Sequence, residues 1–378
     1  MKILIVAPET LLPANSGMRQ RMLHLARQLA AAADVEVRAV GEPEATSDEP
    51  FVLRHVGTHR RQLHALALGV RRTYMEAKLR PEALARSGIR DGWSSVQAEF
   101  PYTVAAGMRA GAPLVLDAHN VESQVLRSLA ERDGRLLHRL RWRWEAAKTE
   151  RLERQAIGMA DAVCAVSDDD AASLERYGAR RLVLVPNGVD TRALEHRLPP
   201  RARKLLYIGH FGYRPNVHAA EELVTEILPR VRDRVPDTTV QLVGREASQA
   251  LRELVVPFVD VAGDVPDVIP FLRAAGVFVV PLRSGGGTRL KVLEAMAAGV
   301  PVVSTSFGIA GLSVRDGEHV LLAETPTTLA AAASRILEDE ALARSLSLAA
   351  RELVEERYDW SVVARPLVEL HASLALDR

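Results

Sequence analysis

The sequence predicts an α/β protein built from two doubly wound parallel-sheet units. Short runs rich in Val, Ile and Leu recur along the chain, each followed by a longer Ala/Leu/Arg stretch with helical spacing, which is the alternation of parallel α/β architecture. The 378 residues leave room for two or three domains at ~100 to 200 residues each. Near the middle, Arg192 to Lys204 contains Pro199-Pro200 and four arginines (Arg192, Arg197, Arg201, Arg203), a polar stretch of linker type.

In the first half the strands are expected at Ile3 to Ala7, Val35 to Val40, Val96 to Glu99, Pro113 to Asp117, Ala162 to Val166 and Leu182 to Val185. Helices are expected at Arg19 to Ala32 and Arg135 to Ile157. In the second half the strands are Lys204 to Ile208, Thr239 to Val243, Phe258 to Val261, Val277 to Pro281 and Pro301 to Ser304. The boundary is placed in the proline stretch, giving an N-terminal domain over 1–195 and a C-terminal domain over 204–358. Residues 359–378 read as a final helix, with Asp359 or Ser361 as its cap. No fixed-period repeat is present, which excludes solenoids and propellers.

Composition narrows the function classes. Lys and Arg number 49 against 48 Asp and Glu, a difference of +1, so the chain as a whole lacks the charge of a nucleic-acid binder. One cysteine, Cys164, cannot form an internal disulfide, and no Cys/His cluster has metal-ligand spacing, so a reducing, cytoplasmic setting is expected. The opening Met1 to Ala7 is apolar for too few residues to make a signal-peptide core, and no apolar run approaches the ~20 residues that span a bilayer. Pro8 to Gly17 contains no GxGxxG and the chain contains no GxxxxGK, which argues against NAD binding and ATP hydrolysis. Residues 51–90 hold nine Lys/Arg against Glu76 and Glu82, with Leu63, Leu66, Leu68 and Val70 interleaved. A solvated Arg-rich surface is the favoured reading there, with weak peripheral membrane contact as the alternative. Arg135 to Arg154 is similarly basic, but Glu145, Glu150 and Glu153 offer helical charge pairs.

The strongest chemical segment runs from Pro281 through Gly285-Gly286-Gly287-Thr288-Arg289-Leu-Lys291 to Glu294 and Pro301. A buried strand leads into three glycines and then into a helix expected to begin near Thr288. Glycines let a backbone approach a ligand closely, first-turn amides favour anions, and Arg289 and Lys291 add positive charge. A diphosphate is the ligand this suits. Glu294, about one turn further in, is placed to accept hydrogen bonds from vicinal sugar hydroxyls. The plainer reading is a glycine turn followed by a solvated helix. His119 stands at the carboxyl end of the strand ending at Asp117, where open α/β sheets bind ligands, though a lone histidine there is also a common structural feature. Glu122 and Asp117 carry structural readings of the same kind. Asp168-Asp169-Asp170 resembles an acidic metal motif, but Ser167 is a helix cap and first-turn acids complement the helix dipole, so no metal is predicted.

Glu294-Ala-Met-Ala-Ala-Gly-Val-Pro-Val-Val resembles the donor-site signature of the retaining glycosyltransferases of family four, which have the GT-B fold. Asn15-Ser-Gly17-Met-Arg19 resembles that family's N-terminal glycine loop. Leu116-Asp-Ala-His119-Asn-Val-Glu122-Ser resembles the segment whose histidine faces the transferred sugar. Val166-Ser167, Val185-Pro-Asn187-Gly-Val-Asp190 and Ile208-Gly209 lie in family order. The resemblance implies two Rossmann-like domains facing across a cleft, with the C-domain holding a nucleotide sugar, the N-domain an acceptor, and the last helix packing back on the N-domain. It also implies a hexosyl transfer to a small-molecule, glycan or lipid-linked acceptor hydroxyl with retained configuration, and transfer is expected to be metal-independent because no acidic pair is placed for a divalent ion and basic residues can neutralise the diphosphate. No cofactor is implied beyond the donor substrate. His119, Arg289 and Lys291 take catalytic roles, and Gly17, Gly209, Gly286, Gly287, Thr288 and Glu294 bind the donor.

Two departures bear on this. The family's second acid would stand eight positions before Glu294, where this chain has Gly286. The Arg and Lys that follow the glycine matching Gly209 in many members are here His210 and Pro215, with Arg214 nearby, which moves the phosphate role to Arg289 and Lys291. The rival readings are a nucleotide-sugar epimerase of the same fold and a catalytically silent sugar-nucleotide-binding partner, with a phosphorylase or sugar-phosphate synthase as a lesser one.

Overall fold

The computed structural model describes residues 1–14, 16–42, 48–57, 73, 75–76, 81–132, 134–247, 251–285 and 289–376. The chain divides into two compact units: Met1–Asn187 together with the stretch from Trp360 onward, and Gly188–Asp359.

The first unit is a seven-stranded sheet. Its strands are β1 (Lys2–Ala7), β2 (Asp34–Val40), β3 (Val52–Val56), β4 (Ser95–Glu99), β5 (Leu114–Asp117), β6 (Ala162–Ala165) and β7 (Leu182–Leu184), in the order β3-β2-β1-β4-β5-β6-β7. Every pairing is parallel, with β1 flanked by β2 and β4. Strands covered on both faces need continuous apolar runs, which is why Ile3 to Ala7 is wholly buried. β3 was not among the expected strands. Its Val52, Arg54 and His55 are half-exposed or exposed, so this edge strand lacks the apolar run that marks the others. The stretch from Trp360 belongs here through packing. The Trp360 ring stacks on His24 at 5.2 Å, and the helix Arg365–Leu376 brings His371 against β4.

The second unit is a six-stranded parallel sheet of β8 (Lys204–Ile208), β9 (Thr239–Gly244), β10 (Val259–Gly263), β11 (Val277–Val280), β12 (Val302–Ser304) and β13 (Leu321–Leu322), in the order β10-β9-β8-β11-β12-β13. β13 is only two residues long, too short to show a period in the sequence. Its core joins both helical faces to the sheet, from Leu205 and Phe278 to Met296, Leu329 and Leu353.

The first unit closes at Asn187 rather than at the expected residue 195. Val189 and Leu194 are buried in the second unit's core, Val189 N–H donates to the Tyr358 carbonyl, and Arg351 donates to the carbonyls of Thr191 and Leu194. The chain from Val189 to Leu194 is therefore part of the second unit, held by buried contacts, while Leu198 and Pro200 beyond it stay exposed. No described helix is long and apolar enough to cross a membrane.

Candidate active site

In both sheets the strand order reverses once, between β1 and β4 and between β8 and β11. At such a reversal the connections leave on opposite sides and open a crevice at the carboxyl ends of the strands. Each unit carries a polar cluster beside its reversal.

In the first unit, β4 and β5 end at Glu99 and Asp117, both with no exposure, and His119 follows two residues later at 6%. His119 Nε2 lies 2.6 Å from Glu99 Oε2 and 3.6 Å from Asp117 Oδ2. Asp117 is held by Arg21 through two hydrogen bonds, Nε to Oδ2 at 3.0 Å and Nη2 to Oδ1 at 2.6 Å. Arg21 comes from the helix Gly17–Ala30, whose cap is Ser16 Oγ accepting from Arg19 N–H. Its Nη1 also donates to the Val185 carbonyl and to Asn187 Oδ1, so a buried guanidinium has its charge compensated and its donors used. Burial pushes the Asp117 carboxyl up, but Arg21 and His119 outweigh that and leave it below its ordinary value. Glu99 is the opposite case: burial and the neighbouring Asp117 raise it, against the hydrogen bonds from His119 and Gln97.

The His119 ring rests on Phe100, with centroids 4.0 Å apart. Phe100 has φ 70°, a region that aromatic residues rarely occupy, so the backbone is strained where it sets this ring under the imidazole. His119 Nδ1 has no protein partner among the described residues, which leaves one ring nitrogen for a ligand. With Glu99 ionised, Nε2 donates to it and Nδ1 is an acceptor. With Glu99 protonated the roles exchange.

Glu99, Asp117 and His119 also form a group whose ligand atoms lie within 4.8 Å of one another, close enough to surround a cation. Their donor set fits a proton network better than a metal. Arg21 occupies both Asp117 oxygens, Gln97 donates to Glu99 Oε1 at 2.6 Å, and a guanidinium this near repels a divalent ion.

In the second unit, Gly209 and His210 follow β8, and Gly285 lies beyond β11. Gly244 has φ 142°, and a Cβ there would fall 1.8 Å from the Gly209 carbonyl oxygen, so the loops after β8 and β9 touch through bare backbone. The helix Leu290–Ala298 follows, with Arg289 as its first flanking residue. Arg289 is buried and donates from Nε and Nη2 to the Phe307 carbonyl at 3.3 and 3.1 Å, with its guanidinium over the Phe307 ring. Lys291 Nζ donates to Asn216 Oδ1 at 3.0 Å and Tyr207 Oη at 3.2 Å. Tyr207 in turn donates to Asn216 Oδ1, and Asn216 Nδ2 donates to the His210 carbonyl. Burial, and then repulsion by Arg289, bring Lys291 down to about 7, with Glu294 opposing the shift. Burial lowers Arg289 as well.

The structure thus draws Arg289, Lys291 and Glu294 to the start of one helix, places Gly209 one loop away through Asn216, and sets His119 in the first unit's cluster with Gly17 at the first turn of the helix that supplies Arg21. The helix begins at Leu290 rather than near Thr288, since Arg289 has ψ 58°. Gly286, Gly287 and Thr288 lie outside the described residues, as does most of the basic segment between 58 and 80. Ser167 Oγ accepts from Asp170 N–H, the cap expected of it. In the second basic stretch Lys148 pairs with Glu145 and Arg154 with Glu150.

Sequence reasoning missed Glu99, Arg21, Tyr207 and Asn216. The signal for Glu99 was present: Ser95, Gln97 and Glu99 alternate with apolar residues on a fully buried strand, a polar seam that needs partners. His371 supplies two of them, to Ser95 Oγ at 2.8 Å and Gln97 Oε1 at 3.1 Å.

Residues 15–193 match the model described as Glycosyltransferase Family 4, and residues 202–339 match Glycosyl transferases group 1. The chain belongs to the family 4 glycosyltransferases. Among its relatives, the phosphatidyl-myo-inositol mannosyltransferase of Mycobacterium tuberculosis (strain H37Rv) is 30% identical over 209 residues, covering 51% of this chain and 54% of that protein. The chain thus spans about half the length of the curated relatives it matches. The structure of sucrose-phosphate synthase from Thermosynechococcus elongatus superposes with a TM-score of 0.76 at 21% identity over 100% of both chains. That of Anabaena HepE in complex with UDP and glucose gives 0.66 at 16% identity, over 99% of this chain and 100% of the other. The fold of this family 4 chain is GT-B.

Proposed function

We propose that the chain is a retaining glycosyltransferase that moves a sugar from a nucleotide-diphosphate sugar to an acceptor hydroxyl. The observation that carries the reading is the pair Arg289 and Lys291, two cations brought together at one helix start beside the strand-order reversal, where Arg289 disfavours the charge on Lys291. An anion between them relieves that repulsion, and a diphosphate has the charge to do so. Glu294, one turn on, accepts from ribose hydroxyls in this reading. The relatives' names and the HepE complex with UDP and glucose support a sugar-nucleotide ligand.

The chemistry asks little covalent work of the protein. The bond from the anomeric carbon to the phosphate oxygen breaks, the acceptor oxygen bonds to that carbon on the same face, and the leaving diphosphate takes the acceptor's proton. Arg289 and Lys291 stabilise charge as it develops on the leaving group. His119, aligned by Glu99 and Phe100, offers Nδ1 to a sugar hydroxyl and orients the ring. Transfer proceeds without a divalent ion, because cations already neutralise the diphosphate.

The test is a thermal-shift screen of UDP-, GDP-, ADP- and dTDP-sugars, in which a ligand at 100 times its dissociation constant stabilises by ~2.7 kcal/mol. Turnover with the selected donor is then measured after exhaustive chelation. No stabilising nucleotide sugar, or activity that vanishes with EDTA and returns with manganese, would overturn the reading.

A further inference from the structure

A cavity lies wholly within the first unit. It has a volume of about 210 Å³ and sits between the helices Glu122–Arg132 and Leu136–Met159 and the turn at Pro101–Thr103. Its apolar walls include Met75, Val125, Leu126, Leu129, Trp142 and Leu152. One water needs only ~10 to 15 Å³, so the space is many times larger than a single solvent molecule requires. Apolar walls give water few partners, and an apolar solute gains from entering.

Three features narrow what the cavity takes. Tyr102 forms part of the wall, and its hydroxyl is buried with no hydrogen-bond partner among the described residues. A buried hydroxyl left unpaired is costly, and a ligand hydroxyl or carbonyl would pair it. The charged groups on the described walls are Glu122 and Glu145, with no lysine or arginine, so an anionic head is disfavoured. Glu145 is already paired with Lys148 at 2.6 Å, while burial raises the Glu122 carboxyl and Asn120 donates to it, so neither calls for a cation. Finally, Tyr102 stacks on Phe100 at 5.2 Å and Phe100 on His119 at 4.0 Å, so a continuous aromatic stack leads from this wall to the histidine cluster.

We infer that this cavity binds an uncharged, largely apolar group carrying a hydrogen-bonding atom that meets Tyr102 Oη. On the transferase reading above, on which this assignment of role rests, it is the subsite for the non-reacting apolar end of the acceptor.

The experiment uses the full chain and three straight-chain probes of similar length with different head groups: 1-decanol, decanoate and decyltrimethylammonium. Trp142 in the wall reports occupancy by its fluorescence, and calorimetry gives affinities. Decanol is expected to bind at least tenfold more tightly than either charged probe. Leu126→Trp, which fills the space, should lose at least tenfold of that affinity, and Tyr102→Phe a few-fold. Leu129→Trp replaces Leu126→Trp if the latter melts abnormally. Equal binding of the three heads, a charged probe binding best, or decanol affinity that survives filling would overturn the inference. Nucleoside diphosphate binding is measured on the same samples and should be unchanged in the filled variants. Decanol binding without nucleotide binding would leave the cavity assigned and remove the transferase reading, whereas the reverse would remove the cavity alone.

Discussion

Lys291 links nucleotide affinity to pH in a way that can be worked out from the structure. With its ammonium near 7, the charged fraction falls from about 0.9 at pH 6 to about 0.1 at pH 8. If only the ammonium holds phosphate, the association constant drops about tenfold across those two units and then about tenfold for each further unit. The sign follows from the lowered value. Between about 7 and 10.5 the folded protein holds fewer protons on this group than the unfolded chain, so the free protein gains stability as pH rises while ligand affinity is lost. A bound diphosphate pulls the group back toward 10.5, so binding at pH 7 takes up about half a proton. Burial holds Tyr207 above its ordinary value, so this neighbour stays neutral throughout. The assay is calorimetry of a nucleotide sugar from pH 6 to 9 in buffers of different ionisation enthalpy. A nucleotide sugar is chosen because its diphosphate is esterified at both ends and does not itself titrate there. Lys291→Met should give a flat profile that meets the wild type at high pH. A flat wild-type profile with no proton uptake would refute the assignment of Lys291 to phosphate.

Two further predictions follow from the first unit. Glu99→Gln keeps the shape of the contact to His119 but removes the charge that sets its tautomer. It should lower turnover at least tenfold, as should His119→Ala, while leaving donor affinity within about twofold; unchanged turnover in a natively folded variant would assign the pair to structure. Glu153 is buried, and burial raises it to about 7 from 4.5, so it costs stability progressively as pH rises through that window, by at most about 3 kcal/mol. Glu153→Gln, which can still accept from Ser123 N–H, should gain stability in urea at pH 8 and little at pH 4. His371, lowered by burial to about 4, contributes the opposite slope over an overlapping range in both proteins. The quantity to read is therefore the difference between variant and wild type, and a variant less stable at both pH values would contradict the argument.

The alternation of short apolar runs with helical stretches determined most strands of both parallel sheets, because a strand covered on two faces is largely apolar. The strands from Ile3 and from Lys204 were legible to within a residue for that reason. Arg289 and Lys291 were legible as two cations near a helix start, which lies at Leu290, while Gly286 and Gly287 lie outside the described residues. What the sequence could not show lay where partners are distant in the chain. Glu99 and His119 are 20 residues apart and Arg21 and Asp117 are 96 apart, and only the packing of β1, β4 and β5 against the first helix brings them within hydrogen-bonding distance. His371 meets Ser95 across 276 residues. The end of the first unit was hidden for the same reason: Leu194 falls in a stretch of linker composition, and only Arg351, far along the chain, ties the backbone around it to the second unit. The state of Lys291 was equally hidden, because a lysine beside glycines reads as a charge and only burial against Tyr207 and Asn216 makes that charge depend on pH. Local pattern records what a residue does to its own backbone, whereas burial and pairing are properties of the assembled core.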